Sequence, residues 1–289
     1  MAEIVLVTGA NGQLGREFQV LSAQFPHFEF HFFDHSILDI SDKEALENAF
    51  VSIKPDYVLN CAAYTAVDKA ESEQELAFKI NSDAVELLAE VTQNFDSKLI
   101  HFSTDYVFDG NKNTPYSETD PTNPINVYGH CKLAGEKKLS EHPNALIIRT
   151  SWLYSSFGSN FVKTMLRLAE NRSELRVVCD QLGTPTYAHD LAKMVLNNLT
   201  KLGELGNNIY HYSNEGVCSW YDFAHAIFDI SGKDMKLYPV RTEDYPTAAA
   251  RPIYTVLDKR KIKSLVENKI PYWRNSLKEC IDLIKENNE

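Results

Sequence analysis

Tyr128-Gly129-His130-Cys131-Lys132 sets a phenol and an amine four residues apart, which on a helix places both on one face. That pair suits a particular chemistry. A carbonyl carbon that accepts a hydride also needs a proton on its oxygen. A free tyrosine, with a pKa of about 10, supplies one only sluggishly near neutrality. A lysine ammonium alongside stabilises the phenolate and draws its pKa toward working pH. A further hydroxyl is then needed to hold the substrate oxygen, and Ser103-Thr104-Asp105 offers one at the end of an apolar β-type run. Many surface helices carry Tyr-x-x-x-Lys, so the pair gains weight only from the residues around it.

The strongest of those surroundings is Thr8-Gly9-Ala10-Asn11-Gly12-Gln13-Leu14-Gly15, directly after the apolar run from Ile4 to Val7. Glycines at 9, 12 and 15 let the backbone turn tightly and approach a pyrophosphate, while free N–H groups at the following helix start bind the anion. The spacing differs from G-x-G-x-x-G and resembles the extended short-chain dehydrogenases. A lysine at 132 would then also reach the nicotinamide ribose. Two cues on the cofactor are opposed. Asp34 closes the second strand, where a carboxylate accepts hydrogen bonds from an NAD ribose. Arg16, beside the last glycine, suits the 2′-phosphate of NADP. NADPH and NADH both stay open. Asp39, in Leu38-Asp39-Ile40, suits a contact near the adenine or a turn ahead of a helix.

The elements that must position these groups follow an alternating order. Strands are expected at Ile4 to Val7, Phe28 to Phe33, Tyr57 to Asn60, Leu99 to Ser103 and Leu146 to Arg149. Helices are expected to about Gln24, over Asp42 to Ile53, from about Glu71 to Gln93, and from Tyr128 to Leu139. Such alternation implies right-handed crossovers and a Rossmann-type, doubly wound parallel sheet of the α/β class. After about Thr150 the rhythm loosens into helical stretches near 160–169, 190–199, 221–230 and 276–284. The expected organisation is a dinucleotide-binding lobe over 1–150 and a smaller α/β substrate lobe over 151–289, some of whose segments return to the first, with the ligand cleft between them.

Composition narrows the function further. Across 289 residues there are 29 Lys and Arg against 40 Asp and Glu, a net charge of −11. That balance disfavours nucleic acid and anionic membranes as partners. Five scattered cysteines without a C-x-x-C suggest neither a zinc site nor a disulfide framework. No apolar run approaches the roughly 20 residues that span a bilayer, and the reading is a cytoplasmic protein.

With these residues assembled, the chain resembles the dTDP-4-dehydrorhamnose reductase family nearly end to end. The resemblance rests on Val7 through Gly15, Asn60-Cys61-Ala62-Ala63-Tyr64-Thr65-Ala66-Val67-Asp68, Ser103-Thr104-Asp105-Tyr106-Val107-Phe108, Tyr128-Gly129 with Lys132, Arg149-Thr150-Ser151-Trp152 and Gly183-Thr184-Pro185-Thr186. It implies NAD(P)H-dependent reduction of the 4-keto group of a dTDP-sugar, dTDP-4-dehydro-L-rhamnose. It further implies Tyr128 as proton donor, Lys132 as its activator and ribose ligand, and Thr104 as the hydroxyl that orients the carbonyl. Residues 10 to 15, Asp39, Ile40, Ala62, Ala63, Tyr64 and Thr65 would line the dinucleotide, and Val67, Tyr106 and Trp152 would surround the deoxysugar. Each has a plainer alternative: Val67 as core, Tyr106 as a support for its own loop, Trp152 as a seal between lobes. Arg251, before Pro252, suits a bidentate clamp on the substrate pyrophosphate, or an ordinary surface position.

Some members of the family are homodimers bridged by Mg2+ through acidic side chains. Glu17 suits one such ligand, but His189 stands where a second carboxylate is needed, and Mg2+ prefers oxygen; the pattern argues against a bridging metal. Two other functions fit the same motifs: a nucleotide-sugar epimerase or dehydratase that recycles NAD, and a non-catalytic subunit resembling the methionine adenosyltransferase β-subunit.

Overall fold

The computed structural model describes residues 2–266 and 269–286. β1 (Glu3–Thr8) leads through the glycine turn into α1 (Gln13–Ser22), followed by β2 (Phe28–Phe33), α2 (Lys43–Ile53) and β3 (Tyr57–Asn60). Two short helices, α3 (Val67–Ala70) and α4 (Gln74–Phe78), precede α5 (Ala84–Asn94), β4 (Lys98–Thr104), α6 (Val127–Leu139) and β5 (Ala145–Thr150). The second half contains β6 (Leu153–Tyr154), α7 (Phe161–Leu168), β7 (Glu174–Val178), β8 (Leu182–Gly183), β9 (Thr186–Tyr187), α8 (Ala188–Asn197) and α9 (Leu199–Glu204). It ends with β10 (Asn208–His211), β11 (Cys218–Ser219), α10 (Trp220–Ser231), β12 (Lys236–Val240), α11 (Arg260–Lys263) and α12 (Trp273–Glu286).

The principal sheet has the order β10-β5-β4-β3-β1-β2, and every pairing in it is parallel. This is the doubly wound sheet expected from the alternation. The chain moves from β1 outward to β2, then returns to β3 on the other side, so a crevice opens beyond the carboxyl ends of β1 and β3. Burial on both faces explains the near-continuous apolar strands. Val5 and Val7 join a core with Leu14 and Phe18 of α1 and with Leu191 and Val195 of α8. Leu6 points the other way, toward Phe50 of α2 and Leu88 of α5.

From the second half, α8, α9 and β10 return to this sheet. By contrast α7, β7, α10 and α12 surround a core of their own, with Val162, Leu175, Phe223, Ile227 and Leu277. β10 had no counterpart among the expected strands. Its short run pairs only with β5, at the sheet edge.

The helix expected from Glu71 to Gln93 is not continuous. α4 passes into a π-helical segment, Lys79–Asp83, before α5. The wide turn accompanies two contacts. Tyr64 N–H donates to Asn81 Oδ1, and Asn81 Nδ2 donates back to the Tyr64 carbonyl, both at 2.9 Å. On the other side Gly135 of α6 packs against the segment, where a Cβ would lie 2.2 Å from the Asn81 carbonyl oxygen. Amphipathic periodicity alone cannot register one added residue in a turn.

Candidate active site

The glycine turn is built by close approach of backbone to backbone. Gly9 has φ +62°, and a Cβ on it would lie 2.6 Å from the Ala62 nitrogen. A Cβ on Gly15 would lie 2.5 Å from the Gly9 carbonyl oxygen. Gly12 caps α1 without any side-chain hydrogen bond, so the first-turn N–H groups keep the anion-binding capacity expected of a helix start. The fit to a dinucleotide pyrophosphate therefore rests on a cradle that side chains would fill.

Beyond the turn lies a cavity of about 690 Å³ lined by Gly9, Asn11, Gly12, Asp34, Asp39, Ile40, Ala62 and Ala63, together with His35 and Lys79. Asp34 is half-buried, and its carboxylate is engaged locally. Ser36 donates through N and Oγ at 2.8 and 2.6 Å, and the Asn11 amide donates to the other oxygen. The Ser36 hydroxyl in particular holds Asp34 below the usual carboxylate range. Asp39 likewise accepts from Ser41 N and Oγ, so it shapes the turn ahead of α2. Arg16 is not among the residues lining this cavity; its guanidinium sits 5.4 Å above the Phe157 ring, in the second half of the chain. Ala10 and Gly15 build the turn without lining either cavity. Tyr64 also lines neither: its hydroxyl donates to Glu73 at 2.7 Å, and that bond pushes its pKa up to about 12.

A second cavity, about 600 Å³, continues from Gln13 and Leu14 to the carboxyl end of β4, and brings together Thr65, Val67, Thr104, Tyr106, Tyr128, Lys132 and Trp152. Local chemistry explains the convergence. Asn126 caps α6, accepting from Gly129 N at 2.7 Å, and its own amide donates to the Ala250 carbonyl. Gly129 lets the first turn of α6 approach so closely that a Cβ would lie 2.3 Å from the Tyr106 carbonyl oxygen. Tyr128 thereby faces β4, edge-on to Tyr106 with ring centroids 5.9 Å apart. Burial pushes the Tyr128 phenol above its ordinary range, and the neighbouring Thr104 hydroxyl pulls the other way. Thr104 Oγ1 donates to Asp105 Oδ1 at 3.1 Å. Asp105 is itself pushed up to about 7 by burial, against hydrogen bonds from Thr255 and Thr104.

Lys132 departs from the expected picture. Its Nζ donates to the Phe102 carbonyl at 2.7 Å and meets His101 Nε2 at 3.1 Å, and it makes no hydrogen bond to Tyr128 among the described residues. Burial pushes its pKa down to about 8.

The second half of the chain supplies the opposite wall. Trp152 has φ +47°, and its indole stacks on Trp220 with centroids 3.6 Å apart and planes 8° from parallel. The stack requires Gly183: a Cβ there would lie 2.7 Å from the Trp152 ring. Sequence reading named Trp152 but not Trp220, which also lines the cavity. Asn160 was missed as well; its amide donates to Gln13 Oε1 at 2.9 Å and ties the 155–160 loop to the glycine turn.

Two expected ligands contact other side chains of the chain. Arg251 donates to both oxygens of Asp68, at 2.9 and 2.7 Å, and is absent from the cavity lining. Glu17 is buried, with Ser155 donating at 2.6 Å and His189 at 3.0 Å. Among the described residues no group of three or more His, Cys, Asp or Glu could hold a metal.

A family model described as RmlD substrate binding domain matches residues 3–286. The dTDP-4-dehydrorhamnose reductase of Aggregatibacter actinomycetemcomitans is 43% identical, with 95% of this chain and 97% of that one covered. The chain belongs to the RmlD family. The Escherichia coli K12 member, also a dTDP-4-dehydrorhamnose reductase, is 41% identical over 96% of this chain and 97% of its own length. A solved dTDP-4-dehydrorhamnose reductase from Bacillus anthracis, in complex with NADP, superposes with TM-score 0.93 at 40% identity, covering 98% of this chain and all of that one. A UDP-glucose 4-epimerase from Thermus thermophilus shares the fold at TM-score 0.80 but only 20% identity. The likeness to epimerases is one of fold, whereas the likeness to RmlD reductases extends through the sequence.

Proposed function

We propose that the protein is an NADPH- or NADH-dependent oxidoreductase that reduces the 4-keto group of dTDP-4-dehydro-L-rhamnose to give dTDP-L-rhamnose. The observation that carries this reading is a single cavity that joins a pyrophosphate cradle to Thr104, Tyr128 and Lys132. When bound, the reduced nicotinamide supplies the hydride. The chain does the rest. Gly9, Gly12 and the start of α1 hold the pyrophosphate, and the 34–41 turns with Ala62 and Ala63 hold the adenosine end. Lys79 is the cationic side chain that lines that end, beside His35, which supports acceptance of a 2′-phosphate. Thr104 orients the substrate oxygen, and Tyr128 delivers the proton that balances the hydride at C4. Val67, Tyr106 and the Trp152–Trp220 wall exclude water and select the sugar. The five cysteines are unpaired, which suits a reducing compartment, and we place the reaction in the cytoplasm.

The decisive assay generates dTDP-4-dehydro-L-rhamnose in situ, adds the purified protein with NADPH or NADH, and follows loss of reduced-nicotinamide absorbance. Stoichiometric oxidation with formation of dTDP-L-rhamnose is expected with both cofactors. Absence of oxidation with either would discard the assignment.

A further inference from the structure

The hydrogen bonds beneath the second cavity constrain the charge of Lys132. Ala62 N–H can only donate, and it points at Asn60 Oδ1 at 3.2 Å; Thr8 Oγ1 donates to the same oxygen at 2.7 Å. The orientation of the Asn60 amide is thus fixed, and Nδ2 is the atom that meets His101 Nδ1 at 3.0 Å. Nδ2 carries only donors, so His101 Nδ1 is an acceptor. His101 is fully buried, and that burial by itself holds it well below the usual histidine range. A neutral imidazole with an accepting Nδ1 bears its proton on Nε2. That Nε2–H faces Lys132 Nζ at 3.1 Å. An ammonium has no lone pair to receive it; a neutral amine does, and still donates to Phe102 at 2.7 Å.

We propose that His101, with its tautomer set by Asn60, is a positioning residue that docks Lys132 as a neutral amine, and that protonation drives Lys132 off this seat toward Tyr128. The charged partner of the phenol is thus present only when Lys132 leaves His101. Other titratable groups around Lys132 do not supply a competing anchor. Cys131 and Glu136 on its own helix favour the charged form, but Glu136 is committed to Arg149 at 2.6 Å and Ser103 at 2.5 Å. Asp105 lines the same cavity and accepts from Thr104. Burial, which places Lys132 at about 8, is consistent with a seat poised near neutral pH. The proposal rests on the reading of Tyr128 and Lys132 as acid and activator, but the seat is a property of the chain alone.

The test uses full-length protein labelled with [ε-13C]lysine and free of cofactor, titrated by 13C NMR, with Lys132→Met assigning the resonance. Lys132 is expected to titrate near pH 8, below surface lysines at about 10.4. Asn60→Asp is isosteric, retains acceptors for Ala62 and Thr8, and accepts a proton from His101 Nδ1. Nε2 then becomes an acceptor for the ammonium, and the midpoint should rise by roughly one unit or more, a tenfold gain in proton affinity. His101→Gln, whose amide oxygen also accepts, gives the same comparison should Asn60→Asp fail to fold. The alkaline limb of kcat/KM should rise with the NMR midpoint. A native Lys132 that titrates with the surface lysines, an unmoved midpoint in the variants, or a midpoint that moves without the limb overturns the proposal. Failure of the reductase reading is distinct: no turnover by the native protein, whatever the titration.

Discussion

At the adenosine end of the cleft, Asp34 and Asp39 bond to Ser36 and Ser41, two residues further along the chain, and stay partly in solvent. At the reaction end, Asp105, His101 and Lys132 are buried, and their partners come from β3, β4, α6 and distant loops. The same residue types behave differently because solvent screens the first set and is excluded from the second. Recognition at the adenosine end thus depends on backbone shape and local turns. At the reaction end it depends on groups whose proton affinities burial has moved.

The sharpest way to break this contrast is Tyr128→Phe, which keeps ring volume and removes the proton donor. A fall in kcat of roughly 10²–10⁴ is expected, with cofactor dissociation constant unchanged by fluorescence titration. Retained turnover would remove Tyr128 from the chemistry.

A smaller effect is expected at the indole wall. Trp152→Ala should raise KM for the sugar nucleotide by roughly 10–200-fold and leave cofactor affinity nearly unaltered. The alternative, Trp152 as a packing residue against Trp220, instead gives a lowered melting temperature with normal KM in the surviving folded fraction.

The smallest effect belongs to the adenosine end. Asp34→Asn removes one partly solvated, screened charge and weakens its turn, so the NADPH-to-NADH ratio of kcat/KM should shift toward NADPH by roughly twofold to fivefold. A shift of a hundredfold would show Asp34 to be as electrostatically potent as the buried groups, and the contrast would fail.

Legibility in the sequence followed the same division. Five of the six sheet strands, the glycine turn and the Tyr128–Lys132 spacing were readable because each is encoded within a few neighbouring residues. The long-range groups were not. Arg251 carries no mark in the sequence of its pairing with Asp68, 183 positions away. Trp220 opens α10, far from Trp152, with no spacing that links them. The Asn60–His101–Lys132 chain joins three elements through single side chains, so no periodicity reveals it. Lys132 was expected at Tyr128 because spacing gives the face of a helix, not the direction of a flexible amine.

The π segment at Lys79–Asp83 has a consequence for how the cleft tolerates change. One extra residue in a helical turn rotates the residues before it by roughly 100° relative to the turns after it. Leu76, Lys79 and Ile80 reach the adenosine-side cavity, while α5 continues on its own apolar face against the sheet. The helix thus serves two surfaces out of phase with each other, as a gear with one tooth added. Removing a single residue from 79–83 would restore a regular helix and bring those two faces into one phase. Either the cofactor rim or the sheet-facing stripe would then point the wrong way, although no residue of the glycine turn had been touched.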